Sequence, residues 1–130
     1  MKPTILLPLF GPVALAFLAG CLPPEAETEI PDALQGRWGL TLADCQAGRS
    51  DAKGLMVVGP DGLDFYESRA VLGRLSARGE DRVQGSFAFT GEGQSWTRQE
   101  SMSLNPDGTL TRRETADDMP PFSLTYQPCP

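Results

Sequence analysis

The stretch Gln94–Ala116, QSWTRQESMSLNPDGTLTRRETA, decides the fold. At its centre Asn105-Pro106-Asp107-Gly108 carries the chemistry of a tight reversal. Proline presets the first corner, and glycine takes the left-handed position at the exit. A type I turn with a bulge predicts strands over 94–104 and 109–116, with Leu104 facing Leu110 and Met102 facing Arg112. Period-two alternation then puts Trp96, Arg98, Glu100, Arg112 and Glu114 on that same face, which runs apolar near the turn and charged further along. Pointing inward, Arg98, Glu100, Arg112 and Glu114 would form a buried ionic cluster or a polar floor for a ligand. Buried charge is costly unless paired, and a pocket is one place that keeps it. Pointing outward, the same four residues would form a solvated row.

The strand reading extends in both directions from this hairpin. Candidate strands occupy 34–43, 54–59, 62–68, 69–78, 82–90 and 122–127. Alternation is clearest in Trp38-Leu40-Leu42, Val83-Phe87-Phe89 and Phe122-Leu124-Tyr126. Pro60-Asp61-Gly62, Gly79-Glu80-Asp81 and Gly91-Glu92-Gly93 supply turns at the spacing of roughly 8–12 residues typical of all-β domains. No segment shows a long helical stripe, so helix is confined to a turn near 44–51. The fold class expected is all-β, a small antiparallel meander of about seven or eight strands. Closure into a barrel removes exposed edges, and a two-sheet sandwich is the alternative. In Asp64-Phe65-Tyr66-Glu67-Ser68 the alternation sends Phe65 inward. Tyr66 then points outward, as a cover for its neighbours or as a contact patch for another protein.

The N-terminus has a different character. Lys2 precedes a run from Ile5 to Leu18 that is almost wholly apolar, short for a bilayer span and interrupted by Pro8, Gly11 and Pro12. It ends in Leu18-Ala19-Gly20-Cys21, which resembles the lipobox of bacterial lipoproteins at all four positions. That resemblance implies a signal peptide over 1–20, removed before Cys21. It also implies a diacylglyceryl thioether on the Cys21 thiol and a freed amine that many bacteria acylate too. One acyl chain binds a membrane only marginally, whereas two or three make a stable anchor. Leu22 follows the cysteine in place of the inner-membrane retention aspartate, so the implied address is the outer membrane, facing the periplasm. Residues 21–32 then read as a lipidated cysteine with an acidic, proline-rich tether, and residues 33–130 as the domain.

The lipobox also settles the cysteine count. The chain has three cysteines. With Cys21 consumed by lipid, Cys45 and Cys129 remain as a pair in a compartment where disulfides persist. A bond between them closes most of the domain into one loop, worth roughly 4–5 kcal/mol on the chain-entropy estimate. The alternative is two separate buried thiols.

Composition bounds the function. The formal net charge is -6, which argues against nucleic acid, and no basic patch is offered to an anionic membrane. The chain has no histidine, so a Ser-His-Asp triad and a Cys-His pair are absent, and no close cysteine spacing suggests metal. Asp117-Asp118 reads as solvated loop charge before Pro120-Pro121. No catalytic residue, metal or cofactor is expected beyond the lipid on Cys21.

Gly36-Arg37-Trp38 resembles the Gly-x-Trp motif of lipocalins. With Cys45 following, it is also similar to small periplasmic barrel inhibitors of metalloproteases. Both resemblances imply a tryptophan that plugs one barrel end. The function expected is a membrane-anchored, non-enzymatic binding or inhibitory module. The alternatives are a small-ligand carrier using the barrel interior and a structural accessory of an envelope complex. The partners expected are the membrane, through the anchor, and either another envelope protein or a small ligand.

Overall fold

The computed structural model describes residues 28–130, together with Pro3, Gly11 and Gly20. The rest of the expected signal segment, the expected lipid-bearing Cys21 and residues 22–27 of the expected tether lie outside the described residues. Eight strands follow one another: β1 (Gly36–Gly39), β2 (Leu55–Val58), β3 (Gly62–Asp64), β4 (Arg69–Arg78), β5 (Arg82–Gly91), β6 (Gln94–Leu104), β7 (Leu110–Ala116) and β8 (Met119–Pro128). Each pairs with the next, and β8 returns to β1, so the sheet is a closed barrel. The expected meander is therefore present, and the sandwich is excluded.

The β6–β7 hairpin forms as its turn chemistry dictates. Gly108 sits at φ +85°, and its N–H donates to the Asn105 carbonyl at 3.0 Å. Asp107 Oδ1 accepts from the Thr109 N–H at 3.0 Å and from its hydroxyl at 2.6 Å. That sets the register, with Met102 opposite Arg112 and Leu104 opposite Leu110.

Inward residues fill the barrel. Phe87, Met56, Leu63, Met102 and Leu110 are fully buried in its middle. One end is closed by Ile30, Leu34 and Trp38, whose indole Nε1 donates to the Leu34 carbonyl at 2.9 Å. Ile30 and Pro31 are buried, so the packed chain reaches back past the boundary expected at residue 33. The reason is local. β3 pairs with β4 only over Asp64↔Arg69 to Gly62↔Val71, and one further backbone bond joins Leu72 N to the Asp61 carbonyl. Beyond it the wall has a gap, and the N-terminal segment enters there. Ile30 N donates to the Pro60 carbonyl at 2.8 Å, and Arg78 Nε donates to the Glu29 carbonyl at 2.7 Å.

Three expected elements are shorter or placed differently. The strand expected over 34–43 is β1 alone, because Thr41 and Asp44 form a capping box that starts a 3-10 turn at Leu42–Cys45. Leu40 and Leu42 are consequently exposed and leave the alternation that Trp38 began. The strand expected over 62–68 stops at Asp64, where Phe65 N bonds back to the Ser68 carbonyl and makes a turn. Conversely, β8 begins at Met119 and includes Pro120 and Pro121, which sit beside a register shift at Glu114/Ala116, where proline is tolerated.

The seam between β1 and β8 is narrow, with only Trp38↔Pro128 and Gly39↔Gln127 in register. Cys129 N adds a bond to the Arg37 carbonyl, and a Cys45–Cys129 disulfide ties the two ends covalently. The expected cysteine pairing is present in the fold. Gly39 is required here: a Cβ at that position would lie 2.5 Å from the Thr41 carbonyl oxygen and 3.0 Å from Cys45 Sγ.

Candidate functional site

The four charged residues singled out on the central hairpin come together inside the barrel, in its half away from the Trp38 plug. Strand pairing sets Glu100 directly opposite Glu114, with Met102 opposite Arg112 one step along. Arg98 lies one step beyond Glu100 on the same face. Glu100, Arg112 and Glu114 are buried, and the Arg98 side chain is 16% exposed at the rim.

Arg112 holds the cluster. Its Nε donates to Glu100 Oε2 at 2.9 Å and its Nη2 to Glu100 Oε1 at 2.6 Å, a two-point grip that suits the planar guanidinium. The same Nη2 also donates to Glu114 Oε2. Arg98 Nε lies 3.3 Å from Glu114 Oε1, and its Nη1 lies 3.4 Å from Asp118 Oδ1. Arg98 Nη1 donates to its neighbour Thr97's carbonyl, while its buried Nε makes no hydrogen bond. Two guanidiniums and two carboxylates therefore interlock, with exposed Asp118 at the edge.

Aromatic rings floor the cluster. Arg112 Cζ stands 4.6 Å from the Phe65 ring centroid and 5.9 Å from that of Phe122, both within cation–π range. Phe65 stacks on Phe89 at 6.0 Å, and Phe89 on Trp96 at 5.5 Å. Phe65 thus points inward as the alternation expects, and Tyr66 is exposed. The part that Phe65 and Phe122 play beneath Arg112 is invisible in the sequence, because it depends on β3 and β8 being carried round to β7 by closure. Asp118, expected as free loop charge, has a partner in Arg98 but stays largely exposed.

Burial sets the electrostatics. It pushes the Glu100 carboxyl up to about 8, against the opposing pull of Arg112, and the facing Glu114 adds to the rise. Desolvation works against the Arg112 charge, but Glu100 outweighs it and raises its pKa.

What this arrangement offers chemically is rigidity. The donors of Arg112 are spent on Glu100 and Glu114, and Arg98 Nε, which makes no hydrogen bond, is held beside Glu114 as an ion pair. A cleft of about 340 Å³ opens at the rim of the cluster, lined by Thr97, Arg98, Thr115, Asp117 and Asp118 among others, and further clefts lie on the outer wall. One of about 280 Å³ lies where β3 ends, lined by Val57, Pro60, Asp61, Gly62 and Val71 among others. Another of about 140 Å³, lined by Leu55, Phe65 and Tyr66, adjoins it across Val57 and Asp64. Among the described residues no group of His, Cys, Asp and Glu could hold a metal ion. Comparison of the chain with protein-family models, with curated proteins and with solved structures finds no match in any of the three.

Proposed function

We propose that this protein is a lipid-anchored module of the bacterial envelope that acts by binding another protein through the outside of its barrel. The observation that carries the reading is an interior whose charges are paired with one another. The residues best suited to line a polar ligand site, Arg98, Glu100, Arg112 and Glu114, are bonded to one another. A carrier would need to break that buried network to admit a ligand, at a cost of several kcal/mol. The outer wall, by contrast, presents exposed Tyr66 and Val71 beside clefts. Inhibition of an envelope enzyme and structural support of an envelope complex are both forms of this activity.

The address rests on the lipobox and has its own test. Cys21→Ser abolishes incorporation of labelled palmitate and leaves the precursor uncleaved; normal labelling of that variant removes the anchor. The binding activity is tested by crosslinking in intact envelopes, with Val71→Arg and Tyr66→Asp against the native chain. A partner lost in these surface variants supports the reading. A small molecule that copurifies with the native chain and is lost in Arg98→Ala favours the carrier.

A further inference from the structure

We infer that the notch in the barrel rim between β6 and the β7–β8 turn is a binding site for a small zwitterion of the α-amino-acid class. Arg98 takes its carboxylate, and Asp117 and Asp118 take its ammonium group. The site lies apart from the wall proposed for a partner protein, so the two readings stand or fall separately.

The notch is a consequence of unequal strand lengths. β6 starts at Gln94, but its pairing with β7 begins only at Gln99↔Thr115. The register of β7 on β8 then shifts after Glu114, and the chain reverses between Ala116 and Met119. β6 therefore stands beyond β7 over residues 94–98, and the space at that step is the cleft of about 340 Å³. That volume lies at the small end of ligand sites, which run from about 300 to about 1,000 Å³.

Arg98 is the member of the charged cluster with unspent donors. Every nitrogen of a guanidinium donates and none accepts. Arg112 places both Nε and Nη2 on carboxylate oxygens. Arg98, by contrast, makes one hydrogen bond among the described residues, from Nη1 to the Thr97 carbonyl. Its Nε is buried without one, and Glu114 and Asp118 stand at 3.3 and 3.4 Å as ion pairs only. Nη2 makes no hydrogen bond either, and unlike Nε it is not enclosed by protein. Polar groups this far from bulk water are rarely left unmatched, and one that lines a cleft is a ready place for an acceptor.

Charge decides the class. A plain anion would meet Asp117 and Asp118, both exposed at the lip of the same notch, and a plain cation would meet Arg98. A ligand that carries both charges side by side satisfies the two poles together. The poles are themselves side by side, since Arg98 Nη1 lies 3.4 Å from Asp118 Oδ1. In an α-amino acid the ammonium and the carboxylate sit on one carbon, which matches that spacing. The carboxylate then accepts a charge-assisted bond from Arg98, and the ammonium donates to the aspartates. Thr97 and Thr115 bring hydroxyls to the same notch for the remaining lone pairs. The Glu100–Arg112 pair lies deeper and stays intact.

The test uses the full chain in detergent, with its amide resonances followed by NMR while each common α-amino acid is titrated in turn. At least one should shift the amides of Thr97, Gln99 and residues 115–118 saturably, with a Kd below about 1 mM. Its N-acetyl and its amide derivatives each lack one charged pole and should bind at least tenfold more weakly. Asp117→Asn/Asp118→Asn alters only exposed side chains and, with its fold checked by thermal melting, should also weaken binding at least tenfold. No shift with any amino acid, equal binding of the blocked forms, or native affinity in the double variant overturns the inference. Shifts centred on Phe65 and Phe87 in place of the rim overturn it in favour of an interior carrier, a distinction that Arg98→Ala alone would not make. If the double variant keeps its amino-acid affinity and loses the crosslinked partner, the notch is a protein contact and the inference falls. Failure here with crosslinking still dependent on Tyr66 and Val71 removes the notch and leaves the partner reading standing.

Discussion

Replacing Arg112 with methionine removes the one cation that touches both buried carboxylates and keeps most of the side chain's bulk. Arg112 makes two hydrogen bonds to Glu100 and one to Glu114, and lies over Phe65. Hydrogen bonds to charged groups contribute about 1.5–3 kcal/mol each, but they share one desolvation cost and do not sum. The better measure is the cost of orphaning a buried charge, about 3–5 kcal/mol. A domain of this size has about 5–15 kcal/mol in all, so Arg112→Met should shift the urea midpoint far down at pH 7. A companion variant, Glu100→Met/Arg112→Met/Glu114→Leu, removes the charges together and should recover the loss, since buried ion clusters are often no more stabilising than apolar packing. A deficit below about 1 kcal/mol at pH 7, or a triple variant as weak as the single one, would refute the argument from burial and pairing.

Glu100 gives the fold a pH dependence of definite sign. Its folded carboxyl titrates near 8 against 4.5 for the free group, so the unfolded chain releases the proton first. This contribution is fully present below about pH 4.5 and is lost as pH rises through about 8, with a slope of up to about 1.4 kcal/mol per pH unit. Asp44 and Asp107, held low by hydrogen bonds from Thr41 and Thr109, act in the opposite sense only in the acid range. Glu100→Gln should flatten melting curves between pH 5 and 8, and an unchanged slope would remove Glu100 as its source. Cys45→Ala/Cys129→Ala opens a bond spanning 84 residues and should cost about 4–5 kcal/mol in denaturant unfolding. A loss under about 1 kcal/mol would mean that β1 and β8 hold without it. Glu92 sits at φ +50° ahead of Gly93 at φ +76°, a pair of left-handed positions that favours Asn or Gly at the first. Glu92→Asn should raise stability by about 0.5–1 kcal/mol, read as a higher melting temperature.

Much of the barrel is legible in the sequence because each hairpin carries its own instruction. Asn105–Gly108 fixes both the turn and the register of β6 on β7, so the partners of Met102 and Leu104 follow from counting. Legibility fails where a local side-chain bond outbids the alternation. Trp38-Leu40-Leu42 has the period of a strand, yet the Thr41–Asp44 capping box turns the chain, and Leu40 and Leu42 face water. The charged face could be found as a face but not as an interior. Its direction depends on how β6 and β7 twist once β8 has met β1, a long-range event with no local signature. Burial of Ile30 is hidden for the same reason. The gap it fills exists only because β3 is three residues long, and period-two reading extends that strand to Ser68.

The narrow seam between β1 and β8 also governs the order in which the structure can be made. From β2 to β8 each strand pairs with its sequence neighbour, so those hairpins can form one after another as the chain lengthens. Trp38 has to wait for Pro128 and Cys45 for Cys129, so closure is the most non-local step in the molecule. Steps of that kind pay loop-closure entropy before any contact offsets it, and barrels built on them fold in milliseconds to seconds. Until then the sheet is an open ribbon with two raw margins. In that interval the disulfide does more than stabilise the finished barrel: joining Cys45 to Cys129 turns a reversible encounter of the chain ends into a committed one.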